Sequence, residues 1–523
     1  MLVLEGITDR GLAILKAEGW QVDVRKAMPP AELAQVVPPY HALMIRSGSQ
    51  ITASVLEAAT SLRIIGRPGV GVDNVDLDAA TRRGIVVMNS PGGNLVSTAE
   101  LTLGLLLACA RNIAQADAGM KAGKWDRKSF AGVELHGKRI GVVGFGRIGR
   151  EVAARCQALG MEAVAYDPFV SAAVAERLHV ALLSLDELLQ TSDFITLHTT
   201  LSRETRHLIG KEALGKVKPG VRLVNAARGE LLDEEALLAA LETGRVAGAA
   251  LDVHAQEPPV DWRLAQHPRV VAMPHCGAAT VEAQERVGTD IAQQVRDFLK
   301  GGLIQHAVNF FSLTGDLYDE VRPAMELAER LGRFLGQACD GSMERVEVGL
   351  YGNFREIDAK PILAAAVLGV LKPVAPAATL VNARALAAER GIDVLESTSS
   401  ARVTFSNLMV LRLKTSEADV SVAGTLFGRS HLRLVDVDGV EVDAIPQGHL
   451  LLVKNDDTPG VVGHLGRELG ERAINIARMT VGRKPGSGRA VMLIEVDQEV
   501  GADALAAVRR LAGVRDARAL WLG

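Results

Sequence analysis

The sequence predicts an α/β protein of several domains, with a doubly wound parallel sheet at its centre and a smaller βαββαβ unit at its C-terminal end. Three observations carry that expectation. From Lys138 onward, short Val/Ile/Leu/Ala runs alternate with amphipathic helical patterns, which implies right-handed crossovers and a parallel sheet. A glycine-rich turn, Gly144-Phe-Gly146-Arg-Ile-Gly149, stands where one of these strands gives way to a helix. From about His449 the order of patterns is strand, helix, strand, strand, helix, strand, the ferredoxin-like arrangement.

Within residues 1–93, HALMIRS, LRIIGR and IVVMNS read as strands and ASVLEAATS as a helix. The longest apolar segment, ELTLGLLLACA at 100–110, is about half a membrane span and reads as a buried helix. RIGVVGF is a strand, GRIGREVAARCQALG a helix and MEAVAYD a strand. The strands DFITLHT, RLVNAAR, AGAALDV and VVAMP follow, with DEEALLAALETGR as one of the helices between them and another helix at 281–300. The character shifts over 306–446, a further α/β segment in which Pro373 and Pro376 divide an alanine-rich stretch into two helices. In the last part LLLVKN, INIARMTVG, AVMLIEV and VRDARALWL are strands, PGVVGHLGRELGER and ADALAAVRRLAG are helices, and KPGSGR is a turn.

Composition narrows the function classes. At 523 residues the chain exceeds one ordinary core, and 48% hydrophobic with 23% charged residues is usual for a soluble globular protein. A net charge of −4 supplies no broad basic surface, which argues against nucleic acid as a partner. Cys109, Cys156, Cys276 and Cys339 stand far apart without metal-ligand spacing, so free thiols in a reducing compartment and no metal site are expected. MLVLEGITDR lacks the basic and apolar regions of a signal peptide, so a cytoplasmic protein without membrane contact is expected.

The glycine turn gains weight from its surroundings. Asp167 closes the next strand eighteen residues beyond Gly149, where a carboxylate would accept both adenosine ribose hydroxyls and repel a 2′-phosphate, favouring NAD over NADP. Arg228 ends RLVNAAR, Glu257 lies just past AGAALDV, and His275 follows VVAMP, so all three fall at the carboxyl edge of one parallel sheet, where such folds bind ligands. An imidazole suits proton transfer from an alcohol, a carboxylate on its other nitrogen would hold the tautomer, and a guanidinium fork suits a substrate carboxylate. Cys276, beside the histidine, reads as packing.

These residues resemble a known family. GVVGFGRIGREVA, NAARGELLDEEAL, ALDVHAQEP and MPHCGAAT together are similar to the D-2-hydroxyacid dehydrogenases. MIRSGSQIT, the segment from IIGRPGVGVDN to LACAR, and the two appended domains resemble the long-form branch that acts on D-3-phosphoglycerate. The resemblance implies a flavodoxin-like substrate domain over 1–93 and 283–305, a Rossmann-type NAD-binding domain over 94–282, an α/β intervening domain over 306–446 and an ACT regulatory domain over 447–523. It implies NAD-dependent oxidation of D-3-phosphoglycerate to 3-phosphohydroxypyruvate, the first step of L-serine biosynthesis, with Arg228, Glu257 and His275 catalytic. Cofactor contacts are implied at Val70, Gly144, Gly146, Arg147, Ile148, Gly149, Asp167, Thr199, Ala226, Ala227, Arg228, Asp252, His275, Gly277 and Ala278. Substrate contacts are implied at Arg46, Ser47, Arg67, Gly69, Val70, Gly71, Arg228 and His275, with the two N-terminal arginines facing the phosphate. Many relatives carry threonine where Val70 stands, so only backbone contacts are available there. Asn455, Asp457 and Asn475 are implied as contacts for an L-serine effector, and a homotetramer, at least a homodimer, is implied as the assembly. A dehydrogenase of another D-2-hydroxy acid and a non-catalytic NAD-sensing protein of corepressor type remain open alternatives.

Overall fold

Apolar runs of three or four residues, each followed by turn residues, form the first sheet of the protein, here a computed structural model describing residues 1–312, 315–398, 405–428, 430–484 and 486–523. Its elements are β1 (Leu2–Leu4), α1 (Asp9–Lys16), β2 (Asp23–Arg25), α2 (Pro30–Val36), β3 (Ala42–Met44), α3 (Ala53–Ala58), β4 (Ile64–Arg67), α4 (Leu77–Arg82) and β5 (Val86–Asn89). All pair in parallel in the order β2-β1-β3-β4-β5, the flavodoxin-like arrangement expected. Alternate side chains serve opposite faces: Leu4, Leu43 and Ile65 fill one core, Val3, Met44 and Ile64 the other. β1 and β2 add to the sequence reading; β2 is polar and mostly exposed, so periodicity gives no sign of it.

The second sheet follows α5 (Leu95–Arg111) and α6 (Ile113–Lys121). It runs β6 (Arg139–Val143), α7 (Arg147–Ala158), β7 (Glu162–Tyr166), α8 (Ala172–Glu176), β8 (Ala181–Leu182), α9 (Leu185–Thr191) and β9 (Phe194–Leu197). Then come α10 (Lys211–Lys216), β10 (Val221–Asn225), α11 (Glu234–Glu242), β11 (Val246–Leu251), β12 (Val270–Ala272) and α12 (Val281–Gly301). The seven strands are parallel, in the order β12-β11-β10-β9-β6-β7-β8, the doubly wound sheet expected. The carboxyl ends of β6, β7, β9, β10, β11 and β12 therefore share one edge. α12 returns to the first sheet, burying Ile291, Ala292 and Val295 there.

The expected burial of the apolar helix at 100–110 holds on one face only. Leu105, Leu106 and Cys109 are buried, but Leu107 is 38% exposed, and Val96, Ile113, Met120 and Trp125 nearby are 40%, 52%, 56% and 78% exposed. Apolar exposure is thus concentrated along α5, α6 and the segment just after them.

Further along lie α13 (Gly315–Ala338), β13 (Met343–Gly352), α14 (Ala359–Leu371), α15 (Ala383–Glu389), β14 (Asp393–Thr398), β15 (Asn407–Thr415), β16 (Asp419–Phe427), β17 (His431–Val437) and β18 (Val440–Ala444). The sheet order is β14-β13-β15-β16-β17-β18, parallel only between β13 and β14. Pro373 and Pro376 fall between α14 and α15, as expected. The last elements are β19 (His449–Asp456), α16 (Val461–Glu471), β20 (Ile476–Lys484), β21 (Arg489–Val496), α17 (Ala502–Arg509) and β22 (Val514–Trp521), in the ferredoxin-like order β20-β21-β19-β22. Of the predicted KPGSGR turn, Pro485 lies outside the described residues. One face of this sheet packs on α16 and α17, while Leu450, Leu452, Leu493 and Leu520 on the other join the core of α13 and α14, so a single core runs through both C-terminal units.

Candidate active site

The glycine turn between β6 and α7 has the shape a dinucleotide requires. Gly144 adopts φ +93°, and a Cβ there would come within 2.6 Å of the His198 carbonyl carbon. A Cβ on Gly149 would lie 2.1 Å from the Gly144 oxygen, so only glycine lets α7 approach the strand. Gly146 differs: nothing lies within 4 Å of its Cβ position, and α7 starts there without a side-chain cap. Unbonded amides thus face open space at a helix N-terminus, a fit for a pyrophosphate. Asp167, at the end of β7, accepts the Phe145 amide at 2.8 Å and the Phe169 amide at 2.9 Å, which fixes its carboxylate beside the turn. Ile148 is half-buried in α7, and Thr199 follows β9 with its amide against Gly144. Arg147 extends from α7 to Gly92, on the segment leaving the first sheet.

His275 stands three residues past β12 in the left-handed region, φ +55°, held there by its amide donating to the Asp252 carbonyl at 2.7 Å. Its Nδ1 meets Glu257 Oε2 at 2.6 Å, and the pair is open to solvent. The His254 amide donates to the other Glu257 oxygen at 3.1 Å. Burial alone would raise the Glu257 carboxyl, but the His275 hydrogen bond and charge, with the His254 amide, hold it below the ordinary carboxylate range. Because the shift is downward, the stabilisation it lends is present above that range and lost as pH falls through the depressed value.

Asp252 is tied to the loop that carries His275. It has no exposed surface, and its two oxygens accept the amides of Cys276 at 2.7 Å and Gly277 at 2.8 Å. In this structure it holds the loop that presents His275. Gly277 is further tied through its carbonyl to Thr98, and Ala278 through its carbonyl to Gln284 at 2.7 Å. Cys276 is only partly buried, belongs to none of the apolar cores among the described residues, and keeps a raised thiol through burial and the nearby Asp252 charge.

Arg228 crosses the cleft. Asn225 staples the turn below it, donating to the Arg228 carbonyl and accepting the Ala227 amide, with Ala226 buried beneath. The guanidinium donates to Asp73 at 3.0 Å and to the Ala227 carbonyl at 2.6 Å, and a Cβ on Gly71 would overlap its Nη2 at 1.9 Å. Any side chain at Gly71 would have to displace the Arg228 guanidinium. On the other side a Cβ on Gly69 would lie 2.8 Å from Arg67 Nη1. Arg67 is largely buried, its Nε has no partner among the described residues, and burial together with the Arg228 and Arg46 charges pulls it down to about 10. A buried, under-bonded cation calls for an anion. Arg46 bonds to Gln284, and exposed Ser47 follows it. Val70 turns its carbonyl to Asn89 at 2.5 Å.

The structure thus brings the dinucleotide turn, the His275–Glu257 pair and Arg46, Arg67 and Arg228 to one cleft. It does not bring the three effector candidates together. Asn455 lies next to the end of β19, opposite Ala490, with Asp457 just past the strand, whereas Asn475 precedes β20, whose first residue lies opposite Val496 and thus the His449 end of the sheet. Residues that sequence reasoning passed over are Asp73, Asn89, Asn225, Gln284 and the neutral His198, which burial pulls down to about 3. Each acts by bonding a neighbour in space, which the motifs around Asp73, Asn89 and Asn225 do not reveal. Among the described residues no three His, Cys, Asp or Glu side chains converge to hold a metal ion.

Comparison with known proteins gives the family. Residues 103–277 match the family model of the D-isomer specific 2-hydroxyacid dehydrogenase, NAD binding domain, 320–438 that of the D-3-phosphoglycerate dehydrogenase intervening domain, and 449–513 that of the ACT domain. The D-3-phosphoglycerate dehydrogenase of Synechocystis sp. is 41% identical over 519 residues, 99% of this chain and 94% of that protein. The chain belongs to the D-3-phosphoglycerate dehydrogenase family. Another member, from Methanocaldococcus jannaschii, is 40% identical over 99% of this chain and 98% of its own. Among solved structures, a D-lactate dehydrogenase from Aquifex aeolicus complexed with NAD and lactic acid aligns with TM-score 0.54 and 27% identity, over 58% of this chain and 96% of that one. A glyoxylate reductase from Paecilomyes thermophila aligns with TM-score 0.55 and 31% identity, over 59% of this chain and 97% of that one. As a D-3-phosphoglycerate dehydrogenase family member the chain carries an NAD-binding domain, and the segment matched to it contains the glycine turn, Asp167, Arg228, Glu257 and His275.

Proposed function

We propose that this chain oxidises D-3-phosphoglycerate to 3-phosphohydroxypyruvate with NAD, the first step of L-serine biosynthesis. The observation that carries the reading is the 2.6 Å hydrogen bond between His275 Nδ1 and Glu257, in a cleft shared with a dinucleotide turn and three arginines. NAD, when bound, accepts the hydride from substrate C2. The Gly146, Arg147 and Ile148 backbone would hold its pyrophosphate, Asp167 its ribose hydroxyls, and Thr199, Ala226, Ala227, Gly277 and Ala278 would line its path. With Nδ1 engaged, His275 presents Nε2 to the substrate hydroxyl and takes its proton as the C–H bond breaks, and Glu257 stabilises the resulting imidazolium. Arg228 and the Gly69–Gly71 amides bind the carboxylate, and Arg67 and Arg46 neutralise the phosphate. NADH must form when D-3-phosphoglycerate and NAD are supplied together; its absence would refute the reading.

Two finer readings concern assembly. The exposed apolar residues of α5 and α6 are the surface a second copy would cover, giving at least a dimer and, with the C-terminal units, a tetramer. Since Asn475 lies at the far end of the sheet from Asn455 and Asp457, an L-serine site using all three takes Asn475 from a second chain. Asn455 supports a ligand there, being 4% exposed with its Oδ1 unbonded among the described residues. Asp457→Ala then blunts inhibition by serine and leaves uninhibited kcat unchanged; inhibition equal to wild type would remove Asp457 from the site. A cytoplasmic location accords with four free thiols and with no helix among the described residues long and apolar enough to cross a membrane.

A further inference from the structure

The substrate loop is the start of a closed lever. Residues 68–76 lead into α4, which turns at Gly84 into β5, and the end of β5 bonds back to the loop. Asn89 donates to the Val70 carbonyl at 2.5 Å and the Ser90 amide to the Gly69 carbonyl at 2.9 Å. The far end of this lever, at Gly84, is gripped from the intervening domain. Asn382, only 3% exposed, donates to the Arg82 carbonyl at 3.1 Å and accepts the Thr379 amide at 2.7 Å. The Thr379 hydroxyl reaches the Gly84 carbonyl at 3.2 Å. Gly84 has φ +70°, and a Cβ there would lie 2.4 Å from Thr379 Oγ1, so the turn and its grip fit each other closely. A second hold lies along β5, where Asn309 accepts the Val87 amide at 2.9 Å and donates to the Ile85 carbonyl at 2.9 Å. Buried, fully paired polar contacts of this kind fix one geometry.

We propose that Thr379 and Asn382 are positioning residues for substrate: through α4 and β5 they set the placement of the Gly69–Gly71 loop, and with it the anion cradle beside Arg67 and Arg228. The proposal rests on the reading of the cleft as a hydroxy-acid site. It gives the intervening domain a direct hold on substrate binding, independent of the NAD side of the cleft.

The test compares Thr379→Val, which keeps the shape and loses the hydroxyl, with Thr379→Ser, which restores it, both in the full-length chain. Thr379→Val raises KM for D-3-phosphoglycerate about three- to tenfold, with kcat and the NAD dissociation constant within about twofold of wild type. Amide hydrogen exchange over residues 68–90 becomes faster in Thr379→Val and stays at the wild-type rate in Thr379→Ser. Gly84→Ala, approaching the same contact from the other side, gives the same signature. A wild-type KM and exchange rate in Thr379→Val would overturn the proposal, as would equal losses in kcat, KM and NAD affinity. Failure of the wild-type enzyme to oxidise D-3-phosphoglycerate would instead sink the reading of the cleft, and the exchange comparison would still decide whether the grip holds the loop.

Discussion

His275→Asn lowers kcat for D-3-phosphoglycerate oxidation by about 10²- to 10⁴-fold and leaves the NAD dissociation constant within about twofold. The asymmetry follows from where the residue sits. His275 lies past β12 and touches Glu257, Asp252 and solvent, while the dinucleotide turn lies on β6 and α7. Asparagine keeps a polar group but accepts no proton from the alcohol. Steady-state kinetics for kcat, beside a binding titration with NAD, reads both effects. Wild-type turnover in the variant would remove His275 from the mechanism.

Arg228→Ala lowers kcat/KM for the same substrate by about 10²- to 10³-fold, the scale for losing one member of a close charge pair. Arg228→Lys recovers little of it, because an ammonium cannot reproduce a planar fork that already spends Nε on Asp73 and Nη1 on the Ala227 carbonyl. Removal also strands Asp73 without its cation beside the substrate carboxylate, which adds repulsion to the lost attraction. Initial rates at saturating NAD measure the effect, and a loss under about threefold would show that Arg228 does not meet the carboxylate.

The sheet edge that gathers Arg228, Glu257 and His275 was legible because parallel strands declare themselves as continuous apolar runs, and a residue following such a run is committed to one edge. The glycine turn was legible for a related reason: Gly144 and Gly149 face contacts that any Cβ would enter. What the sequence hid are long-range polar contacts. Asp73 pairs with a residue 155 positions away, and Arg46 with Gln284 across 238, and no local pattern encodes either. That Asp252 also accepts two loop amides, from Cys276 and Gly277, is likewise a contact in space that ALDV alone does not encode. The effector trio shows the same limit. Strand order was readable, but which strand end each asparagine occupies depends on antiparallel register, and that places Asn475 away from Asn455.

The cradle of Arg46, Arg67 and Arg228 makes the most specific claim, since Arg67 is largely buried with its Nε unbonded among the described residues, and the Arg228 and Arg46 charges lie close enough to act on it. The measurement that tests it most directly is the ratio of kcat/KM for D-3-phosphoglycerate over D-glycerate with NAD, two substrates that differ only in the phosphate. A ratio of at least about 10² is expected from the charge-assisted contacts to that group; a ratio near one would contradict the assignment of the cleft to a phosphorylated hydroxy acid.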